Sequence, residues 1–409
     1  MSSHILFTSL PDRGHLFPHL AIAGELVARG HRVTFVTARS MESLVAASGA
    51  TLLPYSSQYE AITDKLSTAN DNHGSAMLNL GVDESAAMVR AAEETLGADR
   101  PDLIAYDYAT AQSGRILKRK WDLPAIQLTP IFAQNDAFSY AQAFGEDGDY
   151  DENADPGLEN WAEHPDMAEW VKKNEELLAA HGLDVPFMEF MALVQDPTIA
   201  CVPRVLQPRQ ETFDERFSFV GPCISDRSHL GSWQPPAGDR PVVLVSLGTL
   251  FSDHLEFFKT CVEAFADSPF HVVLTLGNGT DPADLGPLPP HVEAHRWLSH
   301  PDVLRHARAF VTLGGMSSVN DALSLGCPMV VVPLSVLERV TAHQLARHGL
   351  SLTVDPDNVQ AEAIRTAVQT VIADDTFRTG AEAMREQVRE AGGAARAADV
   401  IESRLAARP

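Results

Sequence analysis

The chain is poor in several things, and each shortage closes off a class of function. Basic residues are few: 31 lysines and arginines stand against 55 acidic residues, a formal net charge of -24. A surface of that sign does not condense onto nucleic acid or anionic lipid, although one local positive site for a phosphate remains compatible with it. Cysteine is scarce, with four residues (Cys201, Cys223, Cys261, Cys327) and no C-x-x-C pair. That pattern fits a reducing compartment and excludes a disulfide scaffold or a zinc site. Cys327 lies in an apolar run and reads as packing. The opening MSSHILFTSLPD lacks a basic segment followed by a long apolar core. No apolar run reaches the roughly 18 residues that a membrane span needs. The expectation is a soluble, cytoplasmic protein with neither nucleic acid nor membrane as partner. The acidic run GEDGDYDENADPG holds six carboxylates between Glu146 and Asp155, without the ordered spacing of an EF-hand loop. It reads as a solvated loop, or alternatively as a lid that attracts a cationic acceptor.

What is present is an α/β rhythm, twice over. At 409 residues and 45% hydrophobic content, two domains of about 200 residues each are expected. His4 to Ser9 reads as a strand, Pro18 to Arg29 as a helix ended by Gly30, and His31 to Thr37 as the next strand. The βαβ handedness rule makes such a sheet parallel. Further strands are expected at Thr51–Pro54, Asp102–Asp107, Ala125–Leu128 and Thr198–Val202, with helices between them. Residues 57–100 and 130–195 are less regular. After the Gly/Pro/Ser-rich SDRSHLGSWQPPAGDRP, the rhythm restarts at Val242–Ser246 and continues through His271–Leu276, Val292–Trp297, Ala309–Thr312 and Met329–Val332. Amphipathic helices close the chain, the last at Ala394–Ala407. The predicted boundaries are a first domain over 1–222, a linker over 223–240, a second domain over 241–393, and a final helix over 394–409 packed back on the first domain. The fold class expected is two doubly wound Rossmann-like domains facing across a cleft.

Ligands of such sheets bind at the carboxyl ends of the strands, and several residues fall there. Gly314 and Gly315 end one strand just before a helix that carries Ser317 and Ser318 in its first turn. Outward N–H groups and the helix dipole make this an anion site, although an ordinary strand–turn–helix would show the same glycines. His15, in the Gly-His loop after the first strand, can serve as a general base, or as a capping or surface histidine. A base needs a carboxylate to orient it, and Asp107 is the candidate, although its position also suits a helix N-cap. Ser246, Gly248 and Thr249 form another polar strand end. Trp297 follows a short strand, where its indole can stack on a nucleobase or fill the core.

Taken together these segments resemble the nucleotide-sugar-dependent glycosyltransferases of the two-Rossmann, GT-B type, and among them the actinobacterial macrolide and antibiotic glycosyltransferases. The resemblance rests on GHLFPHLAIAGELVARGHRVTFVT, PDLIAYDYATAQSGRILKRKWDLPAI, FSFVGPC, VVLVSLGT, the Trp297 segment and GGMSSVNDALSLGCPMVVVP. It implies an inverting sugar transfer from a UDP- or TDP-type nucleotide sugar to a hydroxyl of a hydrophobic natural product, in a monomer or homodimer needing no further cofactor or metal. His15 would be the base and Asp107 its orienting group. The first domain would bind the acceptor and the second the donor. Trp297 would stack on the base and Gly314 to Ser318 hold the diphosphate, with Ser246 and Thr249 nearby. Asp321 stands where a ribose-binding glutamate is usual. Three positions depart from the family pattern: Leu313 replaces a histidine before the glycine pair, and His300 replaces a glutamine. The acidic–Gln pair that grips sugar hydroxyls falls at Leu337 and Glu338, or at Glu338 and Arg339. His300 or Arg339 would have to compensate. These departures leave open a same-fold enzyme that uses the His15–Asp107 pair on another natural-product intermediate, or a non-catalytic auxiliary protein.

Overall fold

The computed structural model describes residues 2–66, 74–140, 165–192, 194–225, 232–248, 254–277 and 279–407. Thr249 and the acidic run around Asp149 lie outside them. The first sheet has strands β1 (His4–Thr8), β2 (Arg32–Ala38), β3 (Thr51–Tyr55), β4 (Leu103–Asp107), β5 (Ala125–Thr129), β6 (Thr198–Ala200) and β7 (Phe217–Phe219). They run in the order β3-β2-β1-β4-β5-β6-β7, each pair parallel. The second has β8 (Val242–Ser246), β9 (His271–Thr275), β10 (Val292–His295), β11 (Ala307–Thr312), β12 (Met329–Val331) and β13 (Ser351–Thr353) in the order β10-β9-β8-β11-β12-β13, again all parallel. Both sheets are doubly wound. Their central strands are apolar throughout because helices cover both faces; β1, β4, β8 and β9 are buried at every residue.

The two edge strands β7 and β13 were not anticipated from sequence. Each is three residues long and only partly buried, so neither carries the continuous apolar run that marks the central strands. The first helix also differs from expectation. It spans Arg13–Ala28 and begins ahead of Pro18. Asp12 caps it, its Oδ1 accepting from the Gly14 N–H at 2.7 Å and the His15 N–H at 3.2 Å. Pro18 lies inside this helix, past its first turn, so it marks no helix start here.

The last helix, Gly393–Ala406, turns back onto the first sheet. Gly392 and Gly393 sit at φ 92 and 55, and a Cβ on Gly393 would come 2.9 Å from the Pro222 carbonyl oxygen. Glycine therefore permits the reversal, and the Gly393 N–H donates to the Val220 carbonyl at 2.7 Å. Ala397, Ala398 and Ile401 join the core formed by Leu20, Ala23 and Leu26 of the first helix. Between the two sheets, the Asn320 side-chain amide donates to the Cys201 carbonyl at 2.9 Å. All four cysteines are buried free thiols.

Candidate active site

A doubly wound sheet opens a crevice where its strand order reverses, here between β1 and β4 in one sheet and between β8 and β11 in the other. The segments after these four strands meet across one cleft. On the first wall, His15 lies in the opening turn of helix Arg13–Ala28 and Asp107 ends β4. His15 Nδ1 is 2.8 Å from Asp107 Oδ2. Asp107 is fully buried and engages three donors. Besides His15, Ser9 Oγ donates to Oδ2 at 3.2 Å and the Ala109 N–H to Oδ1 at 2.9 Å. One oxygen of Asp107 thus takes the N-cap bond and the other faces the His15 ring. Tyr108 stacks on the His15 ring at 5.6 Å between centroids.

Charge settles the protonation of this pair. Burial pushes the His15 imidazole down, but the Asp107 carboxylate and its hydrogen bond, joined by Asp12, outweigh burial and lift it to about 9. Burial raises Asp107, and the attraction of His15 more than reverses this, holding it below the usual carboxylate value. His19, one helical turn beyond His15, is fully buried and bonds Ser9 Oγ through Nδ1 at 3.1 Å. Burial drives it down to about 4, against the pull of Asp107. The two histidines are split in opposite directions around one carboxylate: His15 rests as imidazolium and His19 as neutral imidazole at pH 7.

On the opposite wall, Gly314 takes φ +93, and a Cβ there would meet Val331 Cγ1 at 2.9 Å. Gly315 is the N-cap of helix Met316–Leu325, and a Cβ there would meet nothing within 4 Å. Its backbone faces open cleft. The first intrahelical bond of that helix runs from the Val319 N–H to the Gly315 carbonyl at 3.0 Å, so the amides before it form the positive end of the helix. Ser317 and Ser318 line the cleft beside them, with Ser246, Gly248, Trp297 and His300 around the rim. The Gly248 N–H donates to Ser246 Oγ at 3.2 Å. His300 Nε2 is 3.0 Å from Thr275 Oγ1.

The fold thus gathers His15, Ser246, Trp297, His300, Gly314, Gly315, Ser317, Ser318 and Glu338 around one cleft, backed by buried Asp107. Two expected residues are not among its lining: Asp321 is buried in its helix and Arg339 points to solvent on the exposed face of helix Val336–Arg347. Glu338 reaches the cleft, but its carboxylate closes a capping box, accepting from the Leu334 and Ser335 N–H groups at 2.8 Å each. Both bonds fall on Oε2.

Residues 227–386 match the family described as UDP-glucoronosyl and UDP-glucosyl transferase. The chain is 37% identical to the demethyllactenocin mycarosyltransferase of Streptomyces fradiae, over 98% of this chain and 87% of that protein. The chain belongs to this glycosyltransferase family. The glycosyltransferase is also 31% identical to the oleandomycin glycosyltransferase of Streptomyces antibioticus, over 99% of its own length and 92% of the other's. Among solved structures it is similar to CalG4, the calicheamicin glycosyltransferase, with 38% identity, 99% of each chain covered and a TM-score of 0.84. The glycosyltransferase of kitacinnamycin is similar to the same extent, at 34% identity and a TM-score of 0.84. The fold is therefore GT-B, and the protein is an enzyme.

The cleft of the glycosyltransferase also holds residues that the sequence reading passed over. Asp12 caps the helix that carries His15 and accepts from the Tyr59 hydroxyl at 2.9 Å. It carries a readable signal, an Asp immediately before a largely apolar helical run. His19 could have been found by its four-residue spacing from His15, which puts both on one helix face. Arg13, whose guanidinium sits 4.5 Å above the Trp297 ring, joins the two walls and has no local signature at all. Among the described residues no helix is long and apolar enough to cross a membrane.

Proposed function

We propose that the enzyme transfers a sugar from a UDP- or TDP-type nucleotide sugar to a hydroxyl of a hydrophobic natural product, inverting the anomeric carbon. One observation carries this reading: the His15–Asp107 pair faces, across a single cleft, a glycine turn and helix end suited to a diphosphate. Neutral His15, with Nδ1–H donated to Asp107, has Nε2 as its basic atom. Nε2 takes the acceptor proton as the acceptor oxygen attacks the anomeric carbon, and the nucleoside diphosphate departs from the opposite face. Asp107 stabilises the imidazolium that results. Preorganised N–H dipoles at the start of helix Met316–Leu325 meet the charge that develops on the leaving oxygen. Trp297 offers a ring for the base.

In this reading residues 1–222 bind the acceptor and 241–393 the donor, with 223–240 linking them and the closing helix tying the second half to the first. Apolar side chains on the cleft, among them Phe17, Ile131, Met316 and Leu337, suit a hydrophobic acceptor. The names of the mycarosyl- and oleandomycin-transferring relatives point the same way. Glu338 uses Oε2 for its helix cap, which leaves Oε1 for a sugar hydroxyl, with His300 on the same cleft.

Calorimetry with UDP, TDP and their sugars is the direct test, followed by product analysis with and without His15→Ala and NMR of the anomeric configuration. Nucleotide binding, an inverted product and its loss in His15→Ala are the expected results. Failure to bind any nucleotide at millimolar concentration would remove the nucleotide-sugar reading, and a retained anomeric configuration would remove the single displacement.

A further inference from the structure

Arg13 is an odd residue for its place. It opens the helix Arg13–Ala28, where the dipole disfavours a cation. Asp12, its neighbour, is already occupied: Oδ1 by two backbone N–H groups and Oδ2 by Tyr59. Among the described residues Arg13 forms no ion pair, and its guanidinium lies over Trp297 at 4.5 Å instead. Burial lowers its proton affinity, with Asp12 and Glu60 opposing, so the site holds a partly desolvated positive charge without a bonded counter-ion.

The other basic side chains of the cleft have partners. Arg296 is ion-paired with Asp281, His300 Nε2 lies 3.0 Å from Thr275 Oγ1 and His15 is bonded to Asp107. The wall carrying Gly314, Gly315 and Ser317 supplies backbone and hydroxyl donors, and among its described lining residues the one arginine, Arg296, is paired with Asp281. A diphosphate that gains negative charge as its sugar leaves would meet there a helix end and a cation already paired.

Resting on the nucleotide-sugar reading, we infer that Arg13 is the cation that binds the donor diphosphate, reaching it from the acceptor-side wall of the cleft. A cation–π contact holds the guanidinium over Trp297, a weaker and less directional interaction than a bidentate pair with phosphate. A base that stacks on Trp297 displaces Arg13 from the ring within reach of the phosphates. Base stacking and charge neutralisation are then coupled, and the nucleotide becomes the tie between the two walls.

The experiment compares the binding of a nucleoside and its diphosphate (uridine and UDP, thymidine and TDP) to wild type, Arg13→Lys, Arg13→Gln and Trp297→Ala, at low and high salt. Arg13→Gln should weaken diphosphate binding by roughly 10- to 100-fold, leave nucleoside binding unchanged or slightly tighter, and flatten the salt dependence. Arg13→Lys should retain part of the affinity, since charge survives while the fork geometry does not. Unchanged diphosphate affinity in Arg13→Gln would overturn the assignment. So would tighter binding of nucleoside and diphosphate alike, the signature of an arginine that merely plugs the Trp297 face. If wild type binds no nucleoside diphosphate, the underlying nucleotide-sugar reading falls instead, and the two failures are distinct.

Discussion

His15 Nδ1 and Asp107 Oδ2 lie 2.8 Å apart, although 92 residues separate them in the chain. The parallel pairing of β1 with β4 makes this possible. Both side chains leave the carboxyl ends of adjacent strands at the switch point, so one crevice receives both. The buried carboxylate does two things to its histidine: it directs Nδ1–H inward, and it raises the basicity of the ring.

The pH dependence follows from that second effect. A base must be neutral to accept a proton, and His15 rests protonated up to about 9. kcat/KM should therefore climb with pH and level off near 9. In Asp107→Asn the rise should move down toward the ordinary histidine value of about 6.5, with kcat reduced. His15→Ala should lower kcat by roughly 10²- to 10⁴-fold while the circular dichroism spectrum stays the same. A flat profile across the alkaline limb would contradict the assignment of His15 as base.

Stability should depend on pH through both histidines with opposite signs, the carboxylate raising His15 and burial lowering His19. His15 is raised on folding, so its stabilisation is complete below the unfolded value of about 6.5 and is lost as pH rises through about 9. His19 is lowered to about 4, so its contribution is complete above about 6.5 and is lost as pH falls toward 4. Together they favour a maximum near pH 6.5. Thermal melts across pH should show His15→Ala flattening the alkaline limb and His19→Asn the acid limb; unchanged slopes in both variants would refute the linkage.

The adjacent glycines should separate folding from binding. Alanine at Gly314 would have to hold φ +93 and press its methyl against Val331; the left-handed backbone alone costs about 1–2 kcal/mol. Gly314→Ala should lower the melting temperature and nucleotide affinity together. Gly315→Ala meets open space and should leave the melting temperature near wild type while weakening nucleotide binding, because its methyl enters the cleft. Calorimetry that finds wild-type nucleotide affinity in Gly315→Ala would show that the ligand does not approach this backbone.

The returning helix should be held by packing more than by charge. Ile401 is completely buried, and Ile401→Ala should cost about 2–5 kcal/mol in urea unfolding. Arg29 reaches Asp399 and Glu402 at 2.7 Å each, but these carboxylates are well exposed, and Arg29→Ala should cost no more than about 1 kcal/mol. The reverse order of effects would mean that the ion pairs anchor the helix.

Much of the architecture was open to reading because buried parallel strands write themselves as apolar runs. The segments around Ile5, Ile104, Val245 and Phe310 announced their strands, and the glycines at 314 and 315 announced a turn. The short edges β7 and β13 did not, since half-exposed strands carry no such run. The start of the first helix was misplaced because Pro18 looks like a first-turn proline, whereas the capping carboxylate of Asp12 decides the boundary. Asp321 and Arg339 matched motif positions, yet helix rotation turns one into the core and the other to solvent.

Local chemistry in the sequence by itself determined the strand and helix pattern and the glycine turn, and set His15 and Asp107 each at the end of a strand, because these depend on residues near one another in the chain. Only the tertiary structure decided that Asp107 is shared by His15, His19 and Ser9, that Glu338 caps its own helix through one oxygen, and that Arg13 rests on Trp297. Those outcomes depend on distances between segments far apart in sequence, and on a buried carboxylate that lifts one histidine to about 9 while burial lowers its neighbour to about 4.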